Sequence, residues 1–254
     1  EETYSFLKAL YDIVALEIGD EILWPQSMPC FIPEDDEIPV AKYSEEGREA
    51  EEYRNKLLKK YGGKKQLISG IHYNYSFNEE IIRKLYESSD KELTYKEYKN
   101  SIYLKVARNY LRYRWIIVYL LGAAPVIHES FLNGCSCKLK QISEDGYTLD
   151  GAVSHRNGEC GYRNKEELYP NYDTVEDYVE SINKYVNDGV IDSHKELYSQ
   201  VRLKAKEPKN FLNSLLEDGI SYLEYRSIDI NPFEKGGISL NDLYFLQLLN
   251  IYML

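Results

Sequence analysis

Two stretches of this chain alternate with a period of two, and a long helical stretch lies between them. That combination limits the folds open to it. In KKQLISGIHYNYSF (64–77), Leu67, Ile71, Tyr73, Tyr75 and Phe77 fall on one face and Gly70, His72, Asn74 and Ser76 on the other. GISYLEYRSIDINPF (219–233) reads as a second strand, ended by Asn231-Pro232. A helix is predicted over about Tyr95 to Leu121, ending at Gly122 before Pro125. Strands separated by helices without regular alternation indicate an α+β fold.

Other helices follow from periodicity and punctuation. One opens the chain, with Leu7, Leu10 and Val14 on one face and Gly19 at its end. Another runs from about Glu45 to Tyr61, stopped by Gly62-Gly63. Asn78 caps a short helix, and Thr174 to Asn187 forms a further one with Val175, Tyr178, Val179, Ile182 and Val186 inward. Phe131 to Asn171 is polar, Gly-rich loop with short strands. The last helix starts on Ser239 with Asp242 three residues later. It then runs on in apolar residues without a stop signal, and the first helix has no cap. The expectation is therefore a single partial domain, 1–254, with flanking segments missing at both ends.

Composition excludes some function classes. The net charge of −11 leaves no basic stripe to replace the counterions of a nucleic acid, so none is expected as partner. The longest apolar stretch, Trp115 to Val126, is too short to span a bilayer. No signal peptide is visible, and a cytoplasmic location is expected. Cys30, Cys135, Cys137 and Cys160 make no disulfide framework, and Cys135 and Cys137 lack zinc-knuckle spacing, so all four read as reduced thiols. The 25 tyrosines, against 7 phenylalanines, line a wet cleft or occupy tolerant surface sites.

Three places could carry chemistry. His72, on the polar strand face, serves either as a ligand to a metal or phosphate oxygen or as an ordinary sheet-face histidine, and spacing alone favours the ordinary reading. Glu224 and Arg226 share a strand face about 7 Å apart. They suit a Mg²⁺ ligand beside a phosphoryl-binding guanidinium as well as they suit a surface ion pair. The loop SHRNGECGYRN (154–164) presents Arg156 and Tyr162 to a small anion, or is simply a charged surface loop. No P-loop, dinucleotide fingerprint, HExxH or GxSxG occurs.

These places lie in longer blocks. WPQSMPC (24–30), ISGIHYNYSF (68–77), ARNYLRYRW (107–115), YLLGAAPV (119–126), KELYSQVRLK (195–204) and GISYLEYRSIDINPF (219–233) resemble, in order, blocks of the glutamate–cysteine ligase family. The bacterial type is closest, including the bifunctional glutathione synthase form. The resemblance implies a glutamine synthetase-like fold, a curved antiparallel sheet with helices outside. It implies an ATP-dependent ligase with glutamate, cysteine and ATP as substrates and Mg²⁺, or Mn²⁺ in its place, as cofactor. The γ-carboxylate of glutamate is phosphorylated and the amine of cysteine attacks the acyl phosphate.

By the same resemblance His72 and Glu224 match metal ligands, and Arg226 matches the arginine facing the phosphoryl group. Tyr53, Leu57, Arg156, Tyr162 and Tyr198 match positions lining the cysteine pocket. Arg54 and Arg202 lie in matching blocks without an assigned role. The family's N-terminal acidic motif and C-terminal helical part have no counterpart here, and His155, Glu159 and Cys160 depart from the family's loop. Two alternatives stay open: a non-catalytic module keeping only the amino-acid pocket, and a related carboxylate–amine ligase with another amine acceptor.

Overall fold

The computed structural model describes residues 1–135 and 137–254. In chain order its elements are α1 (Glu2–Glu17), α2 (Arg48–Tyr61), α3 (Gly63–Gln66), β1 (Ile71–Tyr75), α4 (Glu79–Glu87) and α5 (Tyr95–Leu121). After these come β2 (Ile127–His128), β3 (Lys140–Gln141), β4 (Gly146–Thr148), α6 (Val175–Asn187), β5 (Val201–Lys204), α7 (Phe211–Asp218), β6 (Tyr222–Ile228) and α8 (Leu240–Met253). Helices and antiparallel strands are thus mixed, as the alternating and helical stretches require. The chain divides into two compact units, one of Glu1–Ile71, Ile117–Tyr162 and Ile228–Asp242, the other of His72–Ile116, Arg163–Ser227 and Leu243–Leu254.

The first unit holds α1, α2, α3 and a small sheet of order β2-β4-β3, with β4 antiparallel to both neighbours. Its loops close over Met28, Ala124, Ile127, Phe131 and Cys160, all buried. Lys64 is buried as well, its ammonium 3.1 Å from Glu34 and 3.0 Å from the Ser130 carbonyl. Its backbone N–H donates to Asp35 at 2.7 Å. That anchor corrects the reading of 64–67 as strand. A distant carboxylate takes the amide that a ladder would have used, Gly62 turns the chain at φ +83°, and α3 forms instead. The strand begins only at Ile71.

In the second unit the sheet order is β1-β6-β5, with β6 antiparallel to β5. Leu203, Leu223 and Tyr225 point into the core, where the Tyr225 ring stacks on Tyr110 with centroids 4.1 Å apart and planes 1° from parallel. Tyr73 of β1 also stacks with Tyr225, the ring centroids 6.0 Å apart. The hydroxyl of Tyr225 donates to Asn250 of α8, and that of Tyr103 accepts the N–H of Phe77 at 3.1 Å. The tyrosine excess is therefore partly a core feature, a correction to its reading as cleft or surface. A buried phenol is tolerated where its hydroxyl finds a partner. Helix α6 is capped by Thr174, whose hydroxyl accepts from Asp177 at 3.0 Å, and buries Val175, Tyr178, Val179 and Ile182. Ser239 and Asp242 exchange hydrogen bonds of 3.0 Å at the start of α8, the box predicted there.

A second correction concerns the cysteines. Cys135 and Cys160 form a disulfide, with Cα atoms 4.5 Å apart, while Cys30 and Cys137 are thiols. Sequence spacing could not foresee this, because the loop after β4 folds back onto the segment after Phe131. Among the described residues no helix is long and apolar enough to cross a membrane.

Candidate functional site

Glu224 lies at the middle of β6, between β1 and β5. Because Leu223 and Tyr225 enter the core, Glu224 and Arg226 emerge on the opposite face, as their spacing predicted. Arg202 is the residue paired with Glu224 across β5, and Lys204 pairs with Tyr222. From β1, His72 brings Nδ1 to 3.2 Å from Glu224 Oε1. Lys204 Nζ stands 3.5 Å and Arg226 Nη1 3.7 Å from Glu224 Oε2. The structure thus gathers His72, Glu224 and Arg226, and adds Lys204 to them.

The carboxylate is only 10% exposed. Burial pushes its pKa up, but the His72 hydrogen bond and the charges of Lys204, Arg226 and Arg202 outweigh this and hold it down at about 2. It is an anion throughout the working pH range. Oε2 is buried with cations nearby but no hydrogen bond. If Nδ1–H donates to Oε1, the Nε2 lone pair of His72 is left for a ligand, the arrangement in which a carboxylate orients a metal-binding imidazole. An orphaned carboxylate oxygen and an imidazole nitrogen fit a divalent cation, Mn²⁺ through either donor and Mg²⁺ chiefly through the oxygen. Two protein donors leave most of the coordination shell to phosphate oxygens and water.

Beside this cluster lies a cavity of about 210 Å³, lined among others by His194, Lys195, Arg202, Lys204, Phe211 and Tyr222. The His194 ring lies nearly parallel to Phe211 at 5.1 Å. Burial, then the charges of Lys195, Arg202 and Lys204, push the His194 pKa down, so its ring is neutral and stacks as an aromatic. Arg202 is fixed by donating to the Lys195 carbonyl at 2.9 Å and to the Leu197 carbonyl. Flat apolar walls and two cations leading toward Glu224 suit a planar ring that carries phosphates. The alternation of Val201-Arg202-Leu203-Lys204 signals that both cations share a face. Lys204 went unassigned because alternation does not say which strand lies next door.

The predicted amino-acid-binding residues divide between the units. In the first, Tyr53 and Leu57 are one turn apart on α2, with Leu57 buried. Tyr162 meets Tyr61, one further turn along α2, edge-to-face at 5.4 Å. Arg156 points at Asp229, Nη1 to Oδ1 3.6 Å, and Asp229 also accepts from the Ala123 N–H at 3.0 Å and the Asn157 amide at 3.2 Å. Burial raises the Asp229 pKa, against the hydrogen bonds from Ala123 and Ser154 and the charge of Arg156. Two glycines make room for this arginine: a Cβ on Gly70 would overlap its guanidinium, and one on Gly161 would overlap its carbonyl oxygen. In the second unit Tyr198 is held through its backbone, its N–H donating to Asn164 at 2.9 Å while Asn164 donates to the Glu196 carbonyl at 2.8 Å. Arg54 lines a separate cavity with Ile38, Leu58 and Gln66.

Comparisons with known proteins give a consistent result. The family model described as glutamate-cysteine ligase matches residues 1–188 and 183–254. The glutathione biosynthesis bifunctional protein of Clostridium perfringens is 45% identical over 256 residues, covering 100% of this chain and 33% of that protein. The protein of the same name from Listeria monocytogenes serotype 4b is 41% identical over 250 residues, covering 98% and 32%. This chain therefore spans about a third of the length of these curated relatives. Among solved structures, a bifunctional glutathione synthetase from Pasteurella multocida superposes with a TM-score of 0.81 at 32% identity, covering 100% of this chain and 32% of that one. A glutamate–cysteine ligase from Francisella tularensis, in complex with AMP, gives 0.84 at 26% identity, covering 98% and 54%.

Proposed function

Because this chain belongs to the glutamate–cysteine ligase family, we propose that it forms part of the catalytic domain of an ATP-dependent ligase joining the γ-carboxylate of glutamate to the amine of cysteine. The β1-β6-β5 sheet is read as part of a curved, glutamine synthetase-like sheet, and the enzyme as cytoplasmic. The observation that carries the proposal is the Glu224 cluster: a buried carboxylate kept ionised, an imidazole at 3.2 Å, and Lys204 and Arg226 within 3.7 Å.

A carboxylate is a poor acyl donor, so the reaction needs a leaving group. An oxygen of the glutamate γ-carboxylate attacks the terminal phosphorus of ATP and ADP departs. The amine of cysteine then attacks the acyl carbon, the carbon–oxygen bond to phosphate breaks with its electron pair leaving on phosphate, and the nitrogen gives up one proton to the departing phosphate or water. His72 and Glu224 would hold Mg²⁺ or Mn²⁺, which when bound neutralises phosphate charge and polarises the transferred group. Arg226, on the same strand face, stabilises the negative charge that gathers on the phosphoryl oxygens. Lys204 and Arg202 bind the remaining phosphates. The cavity with His194, Phe211 and Tyr222 takes the adenine ring, a reading supported by its flat aromatic walls and the two cations beside it. Tyr53, Leu57, Arg156 and Tyr162 in the first unit, and Tyr198 in the second, are assigned to amino-acid binding. In this reading Asp229 fixes the plane of the Arg156 guanidinium so that it meets a substrate carboxylate in one orientation.

The test is phosphate release by a complete ligase that carries this segment. Turnover should require ATP, a divalent cation, glutamate and cysteine together. Glu224→Gln should lower it by roughly 100-fold or more, since the variant keeps the shape but loses the anion. Turnover unchanged by Glu224→Gln would refute the metal assignment. Full turnover with cysteine replaced by an unrelated amine would refute the acceptor.

A further inference from the structure

Three sulfurs meet in the first unit. The Sγ atoms of Cys135, Cys137 and Cys160 all lie within 4.8 Å of one another. Cys137 Sγ is 3.4 Å from Cys160 and 3.6 Å from Cys135, the two joined as a disulfide. A disulfide uses two sulfurs and gives no reason for a third to stand equally close to both. A metal gives such a reason. With zinc–sulfur bonds of about 2.3 Å, the edge of a tetrahedral thiolate set is roughly 3.8 Å, within a few tenths of an ångström of both separations.

We propose that Cys135, Cys137 and Cys160 form a three-thiolate site that binds one thiophilic cation of the Zn²⁺ class when the disulfide is open. Opening it takes two electrons: two molecules of a small thiol give two cysteine thiols and one new disulfide of the small thiol. Metal entry then releases one proton from each of the three thiols, and three metal–sulfur bonds form. The fourth coordination position is left for water or a further donor.

The setting suits such an ion. Cys160 is 1% exposed and packs with Met28, Ala124, Ile127 and Phe131, while Cys135 and Cys137 sit at the edge of the same cluster beside Ile32 and Leu139. Thiolates without a counter-charge are costly in apolar surroundings, so the three sulfurs carry protons, a bond or a cation. The ion would also tie down the 154–164 loop, since Cys160 lies between Arg156 and Tyr162. The sulfur cluster is chemically distinct from the Glu224 centre. That centre offers oxygen and nitrogen, whereas this one offers sulfur alone.

The full chain, reduced anaerobically with a phosphine (which leaves as its oxide) and desalted, would be titrated with Co²⁺. One equivalent should produce a sulfur-to-cobalt charge-transfer band in the near ultraviolet, and Zn²⁺ should abolish it. Cys137→Ser should weaken the binding by roughly 100-fold, and Cys30→Ser should leave it unchanged. As a check independent of variant folding, mass spectrometry after alkylation of the unaltered protein should show Zn²⁺ protecting Cys135, Cys137 and Cys160 but not Cys30. Absence of the charge-transfer band, or equal alkylation of all four cysteines with and without Zn²⁺, would overturn the proposal and leave a structural disulfide only.

Discussion

The guanidinium of Arg156 lies 3.6 Å from the carboxylate of Asp229, a side chain with no exposed surface. Gly70 allows this, because any β-carbon there would occupy the space of the guanidinium. Gly70→Ala should therefore displace Arg156 and destabilise the chain by about 1–3 kcal/mol. Removing the long side chain first should relieve the clash, so Gly70→Ala in an Arg156→Ala background should cost less than about 1 kcal/mol. Urea denaturation of the four proteins of this cycle measures the coupling. Additive effects would mean that Arg156 does not occupy this position in solution.

Acid should separate Glu224 from ordinary carboxylates. Its folded pKa of about 2 lies below the ordinary value of 4.5, so the folded state resists protonation more than the unfolded chain does. The stability it contributes is present in full above pH 4.5 and is lost as pH falls toward 2. The stability gap between the native chain and Glu224→Gln should therefore shrink steadily across that window and stay flat above it. Denaturant midpoints taken from pH 2.5 to 6 measure this.

Lys204 reaches both the aromatic cavity and Glu224. If the proposed nucleotide site is right, Lys204→Ala in a complete ligase carrying this segment should raise the KM for ATP by roughly 10–100-fold, the loss of one charge-assisted phosphate contact. The KM values for glutamate and cysteine should change far less. Steady-state kinetics with each substrate varied in turn would show it, and an equal rise in all three would place Lys204 outside the nucleotide site.

Tyr225 has two functions that substitution separates. Tyr225→Phe keeps the stack on Tyr110 and loses the hydrogen bond to Asn250, for about 1 kcal/mol. Tyr225→Ala removes a fully buried ring and should cost about 3–5 kcal/mol. Affinity for Mn²⁺ at Glu224 should survive the first change and weaken with the second. Calorimetry beside thermal melts tests both.

Local features were legible in the sequence and distant ones were not. The bounds of α5, the Thr174 cap and the Ser239–Asp242 box follow from neighbours a few residues apart. So does the common face of Glu224 and Arg226. The helix at Gly63–Gln66 was missed because the group that takes the Lys64 amide, Asp35, comes from another segment. The same reason hid the approach of Cys135 to Cys160. Periodicity placed His72 on a polar face but could not name its partner. Only the order of family blocks linked it to Glu224, and the 3.2 Å contact now shows that the two strands are neighbours. Lys204 and the aromatic cavity were illegible for that reason: alternation tells which side a residue faces, not what faces it.

The sheet around Tyr225 also guards against its own misassembly. Consecutive residues of β6 carry a largely buried, ionised carboxylate and a stacked ring on opposite sides. Sliding that strand by one place would drive Glu224 against the Tyr110 ring and leave Tyr225 among Lys204 and His72. Such a slip forfeits core and charge cluster in one movement, so a chain that has built its aromatic stack has already set its acidic centre.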